Sequence, residues 1–179
     1  MRKVTFGCAN SLDNYIARED GSYDWLMHSE EANKLMADYW PKIDTMIMGR
    51  KTWDIAQKYM SGEAAEQLPH GKLETYVFSR TLEPGTRNDV TFVNSDPGEF
   101  VRELKHRDGK EICIMAGGDL GSVLLDAGVV DEIGFTIHPI LLGSGVPLFK
   151  KMSRRIDLEL VKSMEFRNGC VHVYYRVKN

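Results

Sequence analysis

The segment DTMIMGRKTW at residues 44–53 joins an apolar run to a glycine and then to residues with helical character. Thr45 to Met48 predicts a short buried strand that Gly49 ends, and Thr52 to about Lys58 predicts a short helix. A helix that begins directly after a strand presents unpaired backbone N–H groups and the positive end of its dipole. This turn is therefore a candidate phosphate site.

Four residues of the turn are the candidate ligands: Gly49, Arg50, Lys51 and Thr52. Gly49 lets the backbone approach a ligand closely. The Arg50 guanidinium can bind a phosphate through two parallel N–H bonds, and the Thr52 hydroxyl can add another. The same residues are equally compatible with an ordinary helix cap carrying two solvated cations, and the turn alone does not decide between the two interpretations.

A second turn of the same kind occurs at AGGD, residues 116–119, again between an apolar run and a predicted helix. Two adjacent glycines at the end of a strand suit a backbone that a pyrophosphate approaches. The alternative is a tight turn in which Asp119 is the N-cap of the helix. The chain has neither the GxGxxG pattern of dinucleotide-binding folds nor a P-loop, so the evidence is the pair of turns in one small sheet.

Strands and helices alternate along the rest of the chain. Further strands are predicted at Val4 to Ala9, Thr75 to Ser79, Val90 to Val93, Glu111 to Ala116 and Ile133 to Leu142. Helices are predicted from Ser29 to Pro41, from Asp96, and from Asp119 to Ala127, and polar loops at 10–23 and 61–71. This alternation predicts an α/β fold with a mostly parallel sheet covered by helices on both faces.

The C-terminal part has a different pattern. Asp157 to Phe166 and Cys170 to Val177 alternate apolar and polar residues around Asn168-Gly169. An Asn-Gly pair between alternating runs predicts an antiparallel hairpin. The length of 179 residues, with no convincing linker, predicts one domain over residues 1–179.

Composition limits the classes of partner. Hydrophobic residues make up 42% and charged residues 27% of the chain, a globular balance, and the formal net charge is −3. Without a long basic run, we expect no nucleic-acid partner. No apolar stretch approaches the roughly 20 residues of a membrane span, so we expect no membrane partner and a cytoplasmic protein with reduced cysteines. Metal-ligand spacings such as HExxH or CxxC do not occur, so no metal is expected.

Three acids, Asp13, Asp20 and Asp24, crowd the predicted loop at 10–23 and its end. Most loop acids are only solvated. Asp24 differs because it precedes Trp25, and a carboxylate beside an apolar wall can hold the N–H groups of a heterocycle and have its proton affinity tuned. Asp24 is thus the candidate catalytic residue, as a proton relay or ring anchor.

Four segments carry a family likeness. Residues 44–53 resemble the MGRKTW segment of dihydrofolate reductases, and MAGG at 115–118 resembles their Gly-Gly cofactor turn. Residues 131–149 are similar to the reductase domain of bacterial riboflavin biosynthesis. SLDNYIA at 11–17 matches the Ser-Leu-Asp-Gly opening of that domain, with Asn14 where glycine is usual. Order and spacing agree, so the chain resembles the dihydrofolate-reductase-like superfamily over nearly its whole length, and most closely the RibD C-terminal domain family.

The resemblance implies a dihydrofolate-reductase-like three-layer αβα fold with NADPH as hydride donor. Residues 13–20 would form a mobile loop over the active site. The implied cofactor-binding residues are Ala9 and Ile16 at the nicotinamide, Gly49, Arg50, Lys51 and Thr52 at the 2′-phosphate and pyrophosphate, Ser79 and Arg80 at the adenosine, and Gly117, Gly118, Asp119 and Leu120 at the pyrophosphate.

We therefore expect an NADPH-dependent reductase of a small heterocyclic substrate, of pteridine or pyrimidine type, resembling either dihydrofolate reductase or the riboflavin-pathway reductase. One alternative is an NADPH-binding module without turnover that senses the nucleotide. Another is a structural dimer that has lost the cofactor. A homodimer is expected in each case, because related riboflavin-type domains pair and an exposed sheet edge needs cover.

Overall fold

A computed structural model describes residues 1–59 and 73–178, and the loop predicted at 61–71 lies outside them. The helices are α1 (Glu30–Tyr39), α2 (Arg50–Tyr59), α3 (Pro97–Lys105) and α4 (Gly118–Asp126), with a 3₁₀ turn at Trp40–Lys42. The strands are β1 (Val4–Ser11), β2 (Tyr15–Ala17), β3 (Ile43–Gly49), β4 (Glu74–Phe78), β5 (Gly85–Arg87), β6 (Val90–Val93), β7 (Glu111–Ile114), β8 (Glu132–His138), β9 (Val146–Pro147), β10 (Asp157–Glu165) and β11 (Val171–Lys178).

Nine of these strands form one sheet in the order β10-β11-β8-β1-β7-β3-β4-β6-β5. The six inner strands are parallel to one another: β8, β1, β7, β3, β4 and β6. Antiparallel pairs lie toward the two ends of this sheet, where β11 pairs with both β10 and β8 and β5 pairs with β6. The predicted mostly parallel sheet with a terminal antiparallel hairpin is confirmed.

The sheet separates two hydrophobic cores. On β3, Ile47 belongs to the larger core, which also contains Leu104 of α3 and Leu124 of α4. Met46 and Met48 point to the opposite side and belong to a smaller core against Trp53 of α2. A strand covered on both faces must be apolar at successive positions, which explains the continuous apolar run that the sequence shows here. The three-layer αβα arrangement is confirmed.

The helix ends carry side-chain or glycine caps. The Ser29 hydroxyl accepts a hydrogen bond from the backbone N–H of Ala32 at the start of α1. Asp96 accepts from the N–H of Glu99 at the start of α3, whose first residue is Pro97. Gly128, just beyond α4, has a φ of 67°, a conformation that few residues other than glycine adopt.

Three short strands were not predicted, because segments of two or three residues show no periodicity. One of them, β2, interrupts the predicted polar loop and pairs with β9 in a separate two-stranded sheet. The strand predicted to reach Leu142 ends at His138, directly before Pro139. The terminal hairpin closes with the N–H of Phe166 bonded to the carbonyl of Cys170, so its loop has three residues rather than the two that Asn-Gly suggested. No helix among the described residues is long and apolar enough to cross a membrane.

Candidate functional site

The parallel topology brings the predicted site residues to one edge of the sheet. The strands β1, β7, β3 and β4 are adjacent and run in the same direction, so their carboxyl ends lie side by side. The row covers three inter-strand steps, about 14 Å. Along this row lie, in order, Ala9, the Gly117-Gly118 turn, Gly49-Arg50 and Ser79-Arg80. Ligands of open α/β sheets bind at such strand ends.

The row contains a gap between β1 and β7. These two strands pair at Val4↔Ile112, Thr5↔Cys113 and Phe6↔Ile114, and β7 then ends. The last part of β1, from Gly7 to Ser11, pairs with β8 alone within the described residues. The edge of β1 beside Ala9 therefore faces the space where the chain turns at Gly117. A flat ring inserted there would meet an open strand edge.

Ile16 lies beside this gap. A Cβ atom added to Gly117 would lie 3.3 Å from Cδ1 of Ile16, so that a side chain at 117 would crowd it. Ile16 is held in place by β2, which pairs with β9. Ala9 and Ile16 are both half-buried. The structure thus brings together the two residues that were predicted to line a nicotinamide pocket.

The start of α4 has no side-chain cap in the described structure, and its N-cap is Gly117, not Asp119. The Asp119 carboxylate is exposed and lies 3.3 Å from the Lys150 amine, while Leu120 is buried in the larger core. Asp119 and Leu120 can therefore offer backbone N–H groups to a phosphate, but their side chains have other roles.

The start of α2 has free space beside its backbone. A Cβ atom added to Gly49 would have no described atom beyond its neighbours within 4 Å. The Arg50 guanidinium donates from Nε to Oδ1 of Asp54 at 2.6 Å, one turn along the helix. Lys51 is exposed and Thr52 half-buried in the same first turn. Arg50 and Lys51 thus place two positive charges at a helix N-terminus with free space beside it, an arrangement that suits anion binding.

After β4, Ser79 and Arg80 have different roles. The Ser79 hydroxyl accepts hydrogen bonds from the backbone N–H groups of Thr81 at 3.2 Å and Leu82 at 3.0 Å. It therefore shapes the turn, and its oxygen is already used as an acceptor. Arg80 is exposed at the end of the row and can serve a ligand.

Asp24 does not lie in a pocket. Its side chain is 66% exposed and accepts a hydrogen bond from Nε of Arg18 at 2.6 Å. That hydrogen bond, with the charge of Arg18, holds the pKa of Asp24 below its usual value. An exposed, ionised carboxylate has no proton to donate at neutral pH. The catalytic role stays a prediction, and this environment does not favour it.

The loop predicted to be mobile is anchored in its first half. Asp13 accepts hydrogen bonds from the backbone N–H groups of Leu142 at 3.1 Å and Gly143 at 2.8 Å. The carbonyl of Asn14 accepts from the N–H of Leu148 at 2.8 Å. Asn14 has a φ of 65°, in the left-handed region, which explains why glycine is usual at this position and why asparagine can replace it.

Sequence reasoning missed a polar surface on the other side of β1. Alternation along β8 places Thr136 and His138 on one face, and His172 of β11 lies opposite Thr136, with Nδ1 and the Thr136 hydroxyl 3.0 Å apart. The ring of Trp25 meets that of His138 edge-on at 5.2 Å between centroids. Trp25 is buried, but its Nε1 has no hydrogen-bond partner within the described chain.

Burial sets the charge state of this surface. Desolvation, with a smaller contribution from the charge of Lys162, lowers the pKa of His172 below its usual value. His172 is therefore neutral at pH 7. An uncharged imidazole, a hydroxyl and an indole N–H form a surface that suits the carbonyl and ring N–H groups of a neutral heterocycle. Among the described residues no group of three or more His, Cys, Asp and Glu side chains could hold a metal ion.

Comparison with known proteins agrees with this geometry. The family model of the RibD C-terminal domain matches residues 2–172. YyaP, an uncharacterized protein of Bacillus subtilis, is 33% identical over 98% of this chain and 95% of its own length. A crystal structure of a putative riboflavin biosynthesis protein from Shewanella sp. PV-4 superposes with a TM-score of 0.83 at 25% identity, covering 100% of both chains.

Dihydrofolate reductase from Enterococcus faecalis, solved as a complex with NADP(H), superposes with a TM-score of 0.65 at 14% identity, over 99% of this chain and 97% of that one. The predicted dihydrofolate-reductase-like fold is thereby confirmed, and so is the resemblance at the level of the family. The chain belongs to the RibD C-terminal domain family, a reductase family with the dihydrofolate reductase fold.

Proposed function

We propose that this protein is an NADPH-dependent reductase of a small heterocyclic substrate. The observation that carries the proposal is the row of strand ends, in which a gap beside Ala9 and Ile16 is followed by the N-termini of α4, which has no side-chain cap among the described residues, and of α2, which has free space at Gly49. A dinucleotide could lie along this row with its flat ring in the gap and its phosphates at the starts of α4 and α2. Bound there, the cofactor would supply the hydride.

The residues present suit the phosphorylated form of the cofactor. At α4 the uncapped backbone N–H groups suit a pyrophosphate. At the far end of the row, Arg50 and Arg80 offer cations where a 2′-phosphate would lie, and such a phosphate needs a cation nearby. Gly49 has free space at the position of a Cβ, which lets a phosphate approach the backbone.

The substrate would lie on the face of the sheet that carries Thr136, His138, His172 and Trp25. This surface supports a neutral ring with carbonyl and N–H groups, as in a pteridine or a pyrimidine. The unpaired Nε1 of Trp25 can donate to a ring oxygen or nitrogen. The role of the protein would be to orient the substrate ring against the cofactor and to exclude water. The proposal gives Asp24 no catalytic role and places it only on the neighbouring loop.

Titration with NADPH and NADH by fluorescence or calorimetry tests the proposal. We expect NADPH to bind clearly more tightly than NADH, followed by NADPH oxidation with a member of a panel of folates, pterins and riboflavin precursors. Tight binding of NADPH without oxidation by any of them would favour the nucleotide-sensing module. Failure of both nucleotides to bind would contradict the reductase proposal, and only the assignment of the fold would remain.

We also propose that the protein is a homodimer that pairs through the β10 side of the sheet. Every residue of this edge strand is exposed or half-buried, and Leu160 and Val161 are 54% and 46% exposed. A long exposed edge strand that carries apolar residues is normally covered in a soluble protein. Sedimentation velocity tests this: Leu160→Lys should shift the protein toward a monomer, whereas Val123→Lys on the outer face of α4 should not.

A further inference from the structure

Asn10 is a buried residue that the reductase proposal does not use. It lies in β1 between Ala9 and Ser11 and is 2% exposed. Its amide nitrogen donates to the carbonyl of Ser11 at 2.8 Å and to Oδ1 of Asn14 at 3.3 Å. Its Oδ1 has no hydrogen-bond partner in the described part of the chain. A buried acceptor without a donor is costly, and such atoms in folded proteins have an explanation in water or a ligand.

The position of Asn10 points to a ligand in the gap between β1 and β7. Side chains alternate along β1, so Asn10 lies on the same side as Phe6 and Cys8. Phe6 packs against α4, since a Cβ on Gly121 would lie 2.6 Å from its ring. Asn10 therefore lies on the α4 side of the sheet, two residues nearer the strand end than Cys8.

No strand covers Asn10 on its β7 side. Because Phe6 is level with Ile114, the last residue of β7, Asn10 lies beyond the end of that strand, where the chain turns through Gly117. The side chain of Asn10, with its unpaired Oδ1, thus lies beside the gap that we assign to the nicotinamide. The polar groups of the substrate surface, Thr136 and His138, lie on the opposite side of the sheet.

We propose that Oδ1 of Asn10 accepts a hydrogen bond from the carboxamide N–H₂ of the nicotinamide ring. The inference rests on the proposed function and deepens it, because it assigns a specificity-determining residue to that site. An acceptor can be satisfied only by a donor, and the primary amide is the one N–H donor group of the nicotinamide ring. Asn10 thereby selects a ring with a carboxamide over one in which a ketone replaces it.

A pair of cofactors separates the hydrogen bonds of the carboxamide N–H₂ group from all other contacts of the cofactor. Reduced 3-acetylpyridine adenine dinucleotide phosphate keeps the ring, the ribose and the phosphates of NADPH, but a methyl group replaces the amide nitrogen. We expect the wild-type protein to bind NADPH about tenfold more tightly than this analogue in a calorimetric titration. Equal affinities in the wild type would overturn the inference while leaving NADPH binding, and so the proposed function, intact.

The variant Asn10→Leu removes the acceptor at similar volume, and it should bind the two cofactors with equal affinity. Asn14→Gly is the matched control: it removes a partner of the Asn10 amide nitrogen at a position whose φ glycine accepts, but leaves Oδ1 unchanged. It should keep the wild-type preference. If Asn10→Leu keeps that preference too, the inference is wrong. Should Asn10→Leu fail to fold, equal affinities of the wild type for the two cofactors would still overturn the inference.

Discussion

Arg50 and Asp54 form an ion pair across one turn of α2, with Nε of Arg50 donating to Oδ1 of Asp54 at 2.6 Å. The two side chains are 37% and 47% exposed, so solvent screens the pair and it adds little to stability. Its effect is on the geometry of the guanidinium. With Nε engaged by Asp54, the terminal nitrogens are the groups that remain to bind a phosphate.

Arg50→Ala should therefore weaken NADPH far more than NADH. Loss of a charge-assisted hydrogen bond to a 2′-phosphate should raise the Kd of NADPH by about 10- to 100-fold. NADH has no such phosphate, and its Kd should change by less than about threefold. Arg87→Ala, which removes a cation stacked over Phe92, is the control and should alter neither. An equal loss for both cofactors would mean that Arg50 does not bind the 2′-phosphate.

The two glycine turns should respond differently to alanine. A Cβ on Gly118 would lie 2.6 Å from the carbonyl oxygen of Pro147 and 2.8 Å from that of Leu148. Backbone atoms cannot move aside cheaply, so Gly118→Ala should lower the free energy of unfolding by about 1–3 kcal/mol in urea denaturation. Gly49→Ala meets open space and should leave stability unchanged but weaken NADPH. A Gly49 variant that unfolds as easily as the Gly118 variant would contradict this assignment.

Much of the fold could be predicted because the inner strands and the helices are defined locally. The apolar run at 45–48 and the caps at Ser29 and Asp96 carry their own signals, and the structure follows them. The β2–β9 sheet has none. It depends on contacts between distant segments: Gly145 packs so closely on Ala17 that a Cβ atom at 145 would collide with the carbonyl of Ala17.

The candidate site likewise contains some residues that the sequence indicates and others that only the structure indicates. Glycines at strand ends are visible in a sequence, and Gly49 and Gly117 do lie on the row of strand ends. Asn10 and Thr136 are ordinary polar residues within strands, and only the register shows what they face. The prediction for Asp24 rests on its position next to Trp25 in the sequence, but neighbouring residues in a loop can point in different directions: Trp25 is buried and Asp24 is exposed.

Asp24→Asn decides whether that carboxylate takes part in catalysis. Since Arg18 keeps Asp24 ionised, we expect turnover to fall by less than about threefold, with no change in the shape of the pH profile between about pH 5 and 9. Steady-state kinetics with NADPH and the substrate found by screening would measure it. A loss of about tenfold or more together with a displaced acidic limb would restore Asp24 as the proton relay.

Asn14 should be replaceable by glycine but not by alanine. Its φ of 65° costs an ordinary side chain about 1 kcal/mol, and glycine adopts it freely. Asn14→Ala should therefore reduce the free energy of unfolding by about that amount, while Asn14→Gly should stay close to the wild type. Urea denaturation of the three proteins checks the order. Equal stability of the alanine and glycine variants would show that this backbone conformation is not retained in solution.

His172 should make the fold sensitive to mild acid. Burial lowers its pKa in the folded protein, whereas in the unfolded chain it titrates near its ordinary value of about 6.5. The unfolded state therefore binds a proton first as pH falls. The stability that the neutral ring contributes is fully present above about pH 6.5 and is lost below it, until the folded form also protonates.

The variant His172→Gln removes this titration and keeps a polar group beside the Thr136 hydroxyl. Thermal unfolding between about pH 5 and 7.5 should show the wild-type midpoint falling on the acidic side more steeply than that of the variant. Replacement of an exposed histidine, His28→Gln, serves as the control and should leave the wild-type slope unchanged. Parallel curves for the wild type and His172→Gln would mean that His172 binds protons equally well in the folded and unfolded chains.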